Sequence, residues 1–123
     1  MAASVLIVDD DADVVRELRT VMAAHDIHVE SASTPEGAAT LLDQQRFCGL
    51  VLDLVLENGS GFDVLHHLSK RNLKVPTVVV TSKLPSYVRE MLSAEDVKLV
   101  FPKPVEPRLL TAVVLGLCGI ATP

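Results

Sequence analysis

The chain has 123 residues, of which 49% are hydrophobic, so it is long enough to bury the core of one domain, which we expect to span residues 1–123. A formal charge of −5 and an aromatic content of 3% argue against a nucleic-acid surface, which needs basic or aromatic side chains. No apolar run approaches the roughly 18 residues of a membrane span, and no secretory signal follows Met1. We therefore expect a cytoplasmic protein that contacts neither membrane nor nucleic acid directly.

Cys48 and Cys118 are too few for a disulfide scaffold, and we expect them to be reduced core thiols.

Short aliphatic runs alternate with segments of helical periodicity along the whole chain. The runs predict five buried strands, at residues 4–8, 27–32, 50–52, 76–80 and 97–101. Five helices are predicted to follow them, with apolar residues at helical spacing from Val14, Pro35, Phe62, Pro85 and Pro107. This alternation favours an α/β fold, a doubly wound, five-stranded parallel sheet of the flavodoxin-like kind.

Three of the predicted helices carry more specific expectations. The first helix should end near His25 and Asp26. Ser33 and Glu36 stand at capping-box spacing before the second helix. The last helix is apolar on almost every face over residues 109–120, which is more than one buried stripe requires. Core burial explains part of this excess, and an interface with a second copy or a partner explains the rest.

Polar side chains of different kinds follow four of the predicted strands. Asp9 and Asp10 follow the first strand, Asp53 the third, Thr81 the fourth and Lys103 the fifth. The carboxyl ends of parallel strands meet at one rim of such a sheet, where ligands bind, so we expect these side chains to converge. Three carboxylates against one ammonium leave an excess of negative charge that a divalent cation would neutralise. Oxygen ligands of this kind favour Mg²⁺.

Each of these residues also has a simpler interpretation. Asp9 or Asp10 could merely cap the first helix, Thr81 could be a strand former only, and Lys103 could be a surface lysine before a rigid turn. None of the four histidines stands at a predicted strand end, which argues against a softer metal. For the adjacent pair at residues 66–67, in the middle of a predicted helix, a solvent-facing structural role is favoured over metal ligation.

Taken together, these residues resemble the receiver domain of two-component response regulators, over essentially the whole chain. The matching motifs are the acidic pair Asp9–Asp10, the phosphoacceptor Asp53, the glycine Gly61 eight residues later, Thr81 with its small neighbour Ser82, and Lys103–Pro104. The resemblance implies that Asp53 accepts a phosphoryl group from a phosphohistidine on a histidine kinase or phosphotransfer protein. It also implies a cis peptide bond between Lys103 and Pro104.

The same resemblance implies a magnesium site next to the phosphoacceptor. Asp10, Asp53 and the backbone carbonyl of Val55 would bind Mg²⁺ directly, and Asp9 would assist through water. Lys103 would offset charge on the phosphoryl oxygens, as phosphoryl transfer requires. Thr81 would donate a hydrogen bond to one of these oxygens. Phosphorylation would then shift the face formed by the fourth predicted helix, the fifth predicted strand and the last helix, through which we also expect homodimerisation or partner docking.

Several positions depart from the family pattern. Family members often carry proline where this chain has Glu57, and an aromatic residue where it has Val100. Phe101 should lie on the opposite face by strand alternation and so cannot replace that aromatic residue. Transmission of the phosphorylation signal would therefore depend on Thr81 and the loop that follows it. Val55 and Lys83 offer no carboxylate or amide to orient water, which predicts slow self-hydrolysis.

Two other functions remain open from the sequence. A magnesium-dependent phosphatase of the haloacid dehalogenase type would use Asp9 and Asp11 after the first strand, but it needs further aspartates after Lys103, and none follows. A phosphorylation-independent interaction module would keep the fold and lose the switch. The intact set of polar residues at the strand ends argues against that module. We therefore expect a phosphoacceptor domain, not an enzyme with a substrate of its own.

Overall fold

The structure is a computed structural model that describes residues 3–82 and 97–120. In chain order the elements are β1 (Ala3–Val8), α1 (Ala12–Ala23), β2 (Ile27–Ala32), α2 (Pro35–Gln44), β3 (Gly49–Asp53), β4 (Val55–Leu56), β5 (Gly59–Ser60), α3 (Gly61–Lys70), β6 (Thr77–Thr81), β7 (Val97–Pro102) and α4 (Pro107–Leu117). The last predicted helix is therefore α4. The helix predicted to open at Pro85 lies outside the described residues.

Five strands form one sheet in the order β2-β1-β3-β6-β7, and every neighbouring pair is parallel. Two of the three inner strands, β3 and β6, are buried along their whole length. This burial explains their nearly continuous aliphatic sequence, because a strand that helices cover on both faces has no side in contact with solvent. The predicted doubly wound parallel sheet is confirmed.

The core is divided by the sheet into two layers. On one face, side chains of β1 and β3 pack with α2 and α3 around buried residues such as Leu52 and Leu65. On the other face, α1 and α4 cover the sheet around residues such as Ile7 and Val114. Both layers hold the strands rigidly, and so they fix where the polar residues at the strand ends lie. No helix within residues 3–82 and 97–120 combines the length and apolar character needed to cross a bilayer.

The end of the first helix was predicted to within two residues, whereas the expected capping box of the second was wrong. Helix α1 ends at Ala23, and Asp26 takes a positive φ of 59° in the turn that follows. The N-cap of α2 is Thr34 and not Ser33, since the Thr34 side chain accepts a hydrogen bond from Gly37 N–H at 3.1 Å. Pro35 holds Thr34 in the extended conformation that an N-cap needs, which leaves Ser33 one residue too early.

A short hairpin that the sequence pattern did not predict follows β3. Val55–Leu56 pairs antiparallel with Gly59–Ser60, and α3 begins directly afterwards. Gly59 has a φ of 135°, and a methyl group on it would lie 2.7 Å from Pro35 Cγ, so only glycine fits there. Strands of two residues are too short to show any periodicity, which is why the hairpin left no signal.

Cys48 and Cys118 form a disulfide, so the expectation of reduced core thiols was wrong. Their Cα atoms are 4.9 Å apart although 70 residues separate them in sequence. Both are only partly buried. The fold brings them together because α4 ends over the beginning of β3, where Cys118 Sγ would lie 3.7 Å from a methyl group on Gly49.

Candidate functional site

The parallel register brings the polar strand ends to one rim of the sheet. Val8 pairs with Leu52, so the next residues along each strand, Asp9 and Asp53, are lateral neighbours. Thr81 ends β6, the neighbour of β3 on its other side, and is fully buried. The predicted convergence of residues from separate strands is therefore present.

Lys103 connects the two buried carboxylates. Its Nζ donates to Asp53 Oδ2 at 2.8 Å and to Asp9 Oδ2 at 2.9 Å. Both aspartates are buried, with relative exposures of 5% and 7%. Burial, the largest single influence, lowers the pKa of Lys103, but the hydrogen bonds and charges of Asp53 and Asp9 outweigh it and raise the pKa above its ordinary value of 10.5. Lys103 is thus held as a cation between two carboxylates and is not a surface lysine.

Backbone N–H groups orient the remaining carboxylate oxygens. Asp53 Oδ1 accepts from Val55 N–H at 3.0 Å, and Asp9 Oδ1 accepts from Asp11 N–H at 2.9 Å. Both are local turns that aspartate forms readily with the backbone two residues on. Asp10 is held from farther along the chain, because its Oδ2 accepts from Glu57 N–H at 2.6 Å. A proline at that position could not donate this bond, so the departure from the family pattern has a direct structural consequence.

The carboxylate cluster fits a hard divalent cation. Asp9, Asp10 and Asp53 each offer an oxygen, and these atoms all lie within 4.8 Å of one another. Asp10 is exposed, which leaves room for the waters that Mg²⁺ retains. Among the described residues this is the one group of three or more potential metal ligands. The donor set contains neither nitrogen nor sulfur, as Mg²⁺ prefers.

The simpler interpretations of the acidic pair do not hold. The N-cap of α1 is Asp11, whose Oδ1 accepts from Asp13 N–H at 3.0 Å and from Val14 N–H at 3.3 Å. Asp9 and Asp10 are therefore not used to cap the helix. The preference for aspartate at N-caps could have identified Asp11 from the sequence, since it stands immediately before the helical segment.

The two adjacent histidines of α3 contribute to the surface. His66 is exposed, and His67 is partly buried with its Nε2 2.9 Å from Asp43 Oδ1 on α2. This contact links two neighbouring helices. Neither histidine belongs to the carboxylate cluster.

Residues 5–115 match the family described as the response regulator receiver domain. The chain belongs to that family. A response regulator receiver protein of Anaeromyxobacter sp. (strain Fw109-5) is 28% identical over 106 residues, which cover 85% of this chain and 44% of that protein. The chain spans less than half the length of the curated relatives it matches.

Solved receiver domains share the fold. The receiver domain of the Francisella response regulator 1452 superposes with a TM-score of 0.86 at 20% identity, covering 95% of this chain and 97% of that one. The non-phosphorylated HemR receiver domain from Leptospira biflexa gives a TM-score of 0.86 at 24% identity and covers 98% of both chains. The cis bond between Lys103 and Pro104 that the family resemblance implies is present.

Val100 occupies the position that is usually aromatic in receiver domains, and it lies on the opposite face of the sheet from Phe101, as strand alternation predicts. Val100 packs against the core layer formed by α2 and α3, and Phe101 packs against the layer formed by α1 and α4. The Phe101 ring therefore belongs to the opposite face of the sheet. The hydrogen bond from Glu57 N–H to Asp10 left no signal in the sequence. Gly61 was identified only as a motif glycine, and the structure gives the reason for it, which is its close approach to the backbone of Asp53. Both depend on the unpredicted hairpin.

Proposed function

We propose that Asp53 is the phosphoacceptor of a receiver domain that spans residues 1–123 and is phosphorylated by a histidine kinase or a phosphotransfer protein. The observation that carries the proposal is the pairing of buried Asp53 with Lys103 Nζ at 2.8 Å, beside two further carboxylates. A carboxylate oxygen of Asp53 forms the new bond to phosphorus as the bond from phosphorus to the donor imidazole nitrogen breaks. The freed imidazole stays on the donor protein.

Four groups would hold magnesium at this site. Asp10, Asp53 and the backbone carbonyl of Val55 are the proposed direct ligands, and Asp9 is the proposed ligand through water. When bound, Mg²⁺ supplies positive charge that offsets the charge of the phosphoryl oxygens. The hydrogen bond from Glu57 N–H keeps Asp10 directed toward the cluster, and the Val55 N–H does the same for Asp53.

Lys103 and Thr81 would bind the phosphoryl group itself. Lys103 already lies within hydrogen-bond distance of the acceptor oxygen, so its ammonium can neutralise charge where the phosphoryl oxygens will be. Thr81 ends the neighbouring strand, and its carbonyl accepts from Lys103 N–H at 2.9 Å, which ties the two residues together. We propose that the Thr81 hydroxyl donates to one phosphoryl oxygen.

Receiver domains are signalling domains rather than classical enzymes, and we propose that this one has no separate substrate to turn over. It assists its own phosphorylation and dephosphorylation, and it acts in the cytoplasm on a partner or an attached effector. The acidic charge of −5 supports a role without direct nucleic-acid contact.

Acetyl phosphate with Mg²⁺ tests the phosphoacceptor directly. We expect the intact mass to rise by one phosphoryl group, and Asp53→Asn to abolish the increase. Asp26→Asn is the matched control, because Asp26 is exposed and asparagine accepts its positive φ. Absence of any phosphorylated species would favour the phosphorylation-independent module, and steady turnover of a small phosphoester would favour a phosphatase.

The output surface is proposed to include β7 and α4. Leu99 of β7 is 44% exposed and Leu109 of α4 is 51% exposed, which is high for such apolar side chains. We propose that this surface pairs with a second copy on phosphorylation. Sedimentation velocity with and without beryllofluoride, a phosphoryl mimic, should show a dimer that Leu109→Glu removes and Thr40→Glu, at an exposed position of α2 on the other side of the sheet, does not. A monomer under all conditions would contradict the homodimer.

Signal transmission is proposed to depend on Thr81 and the loop after it, because Val100 cannot act as the aromatic switch residue. Beryllofluoride should therefore change NMR shifts in β7 and in residues 83–96. Unchanged shifts in both segments would show that no switch operates.

A further inference from the structure

The disulfide joins the start of β3 to the end of α4, and β3 carries the proposed phosphoacceptor at its other end. Cys48 directly precedes β3, which ends at Asp53. Cys118 directly follows α4, which begins at Pro107, shortly after Lys103. The start of β3 is therefore joined covalently to the end of α4, while the end of β3 is joined by the ion pair of Asp53 to Lys103, which lies in the segment between β7 and α4.

The bridge lies at a closely packed but accessible point. A methyl group on Gly49 would be 3.7 Å from Cys118 Sγ and 3.9 Å from Val114 Cγ1, so the last turn of α4 rests on the start of β3. Neither cysteine is fully buried, which leaves the bond open to small thiols. Cys48 Sγ also lies 3.4 Å from the carbonyl oxygen of Ser4, so the thiol formed on reduction has a hydrogen-bond acceptor in place. Both redox states can thus be accommodated at this position.

A disulfide is unusual in the cytoplasm, where this protein is proposed to act. In a cytoplasm, low-molecular-weight and protein dithiols keep most cysteines reduced, and disulfides found there are usually transient or redox-sensing. The pair Cys48–Cys118 is the whole cysteine content of the chain, so no third thiol competes for either partner.

We propose that Cys48 and Cys118 form a reversible redox switch, opened by dithiols, that changes the position of α4 and, through the short segment that leads from Lys103 into α4, changes how firmly Lys103 contacts Asp53 and so the affinity of the site for a phosphoryl group. This inference rests on the proposed function of Asp53. A dithiol thiolate attacks one sulfur, breaks the bond between Cys48 and Cys118 and forms a mixed disulfide. The second dithiol sulfur then displaces the protein sulfur, so two electrons and two protons pass to the two cysteines and the reductant leaves as its own disulfide. A disulfide of the same class reverses the exchange.

Coupling of this kind acts in both directions. If the closed bond favours the arrangement in which Lys103 contacts the phosphoacceptor, the oxidised protein binds a phosphoryl mimic more tightly than the reduced protein. By linkage, the bound mimic must then protect the disulfide against reduction by the same factor. We expect a factor of about fivefold or more, the lower end of measured couplings between distinct sites.

The test is a redox titration of the full chain in mixtures of reduced and oxidised dithiothreitol, with free thiols trapped by N-ethylmaleimide and counted by mass. It is run with Mg²⁺ alone and with Mg²⁺ plus beryllofluoride. We expect no alkylation before reductant is added, and a roughly fivefold higher ratio of reduced to oxidised dithiothreitol at half-reduction when beryllofluoride is present. In Asp53→Asn, which lacks the acceptor carboxylate, beryllofluoride should leave the midpoint unchanged. The double variant Cys48→Ser, Cys118→Ser should bind beryllofluoride as weakly as the reduced protein, with its fold checked by circular dichroism.

Three results would overturn the switch, and they are distinguishable. Two alkylated cysteines in the untreated protein would show that the bond does not form in solution. An identical midpoint with and without bound beryllofluoride would leave a structural disulfide without coupling. Failure of beryllofluoride to bind in either redox state would overturn the proposed phosphoacceptor and the coupling with it, while the thiol count would still report the bond.

Discussion

Gly61 and Asp53 are in contact through their backbones. A methyl group on Gly61 would overlap the carbonyl oxygen of Asp53 and lie 2.9 Å from Leu54 Cα, closer than real contacts allow. Gly61 N–H also donates to the Leu54 carbonyl at 3.0 Å, so the first residue of α3 is fixed against the end of β3. The position of the phosphoacceptor therefore depends on the absence of a side chain eight residues later.

Gly61→Ala should displace the backbone that carries Asp53. We expect it to lower the free energy of unfolding by about 1–3 kcal/mol through overpacking. Phosphorylation by acetyl phosphate should slow by roughly tenfold to a hundredfold, because small displacements of reacting groups are costly. Gly116→Ala is the control, since a methyl group there meets nothing within 4 Å. This helical substitution should stabilise the protein by about 0.5–1 kcal/mol and leave phosphorylation unchanged, and an equal loss in both variants would contradict the argument.

The raised pKa of Lys103 predicts that the stability of the fold depends on pH in the alkaline range. Its folded-state pKa is raised above 10.5, so the ion pairs with Asp9 and Asp53 contribute fully below pH 10.5. This contribution is lost as the pH rises through the raised value. The difference in the free energy of unfolding between the wild type and Lys103→Gln, measured in urea, should therefore be constant around neutral pH and shrink above pH 10.5. Lys74→Gln, at an exposed lysine before β6, should show no such change. If the difference in the free energy of unfolding between the wild type and Lys103→Gln fell already near neutral pH, the raised pKa of Lys103 would be contradicted.

Asp10 should set the affinity for magnesium. Asp10→Asn removes one of three clustered carboxylates, and we expect Mg²⁺ to bind on the order of tenfold more weakly, since one contact between unit charges near a surface is worth about 1–4 kcal/mol. Isothermal titration calorimetry measures this directly. Asp13→Asn removes one negative charge as well, in the first turn of α1, and should have little effect. Equal losses in both variants would indicate a general charge effect and no specific site.

The disulfide should stabilise the fold. Opening it by reduction, or replacing both cysteines with alanine, should lower the free energy of unfolding by about 2–4 kcal/mol, because the bridge closes a long loop in the unfolded chain. Urea denaturation with and without dithiothreitol measures the difference. The double variant serves as the control, since the reductant should not change its stability. An unchanged midpoint for the wild type would show that the bond constrains neither state.

Val55 should make the phosphorylated state long-lived. It is 49% exposed beside Asp53 and has no polar group that could orient an attacking water. We expect the phosphorylated protein to persist for minutes or longer, and Val55→Asn to shorten its lifetime by about tenfold by positioning water. Leu99→Asn, an exposed apolar residue on β7, is the control. Intact mass against time gives the rate, and a wild-type lifetime of only seconds would contradict the prediction.

Regular, local patterns made most of the architecture predictable. Aliphatic strands that alternate with amphipathic helices have one common parallel arrangement, and that arrangement sends all carboxyl ends of the strands to one rim. The meeting of Asp9, Asp10, Asp53 and Lys103 follows from this rule alone. Val100 and Phe101 were likewise assigned to opposite faces by the two-residue period of a strand.

Contacts between distant or irregular segments were decided only by the tertiary structure. The disulfide between Cys48 and Cys118 depends on where the last turn of α4 comes to rest, and no local pattern encodes that position. The same holds for the hairpin that places Glu57 N–H on Asp10 and Gly61 against Asp53. The sequence by itself determined which groups stand at the ends of the strands, because periodicity is a local property. Packing of the whole chain decided what holds those groups in place, because the partners come from segments whose proximity exists only after folding.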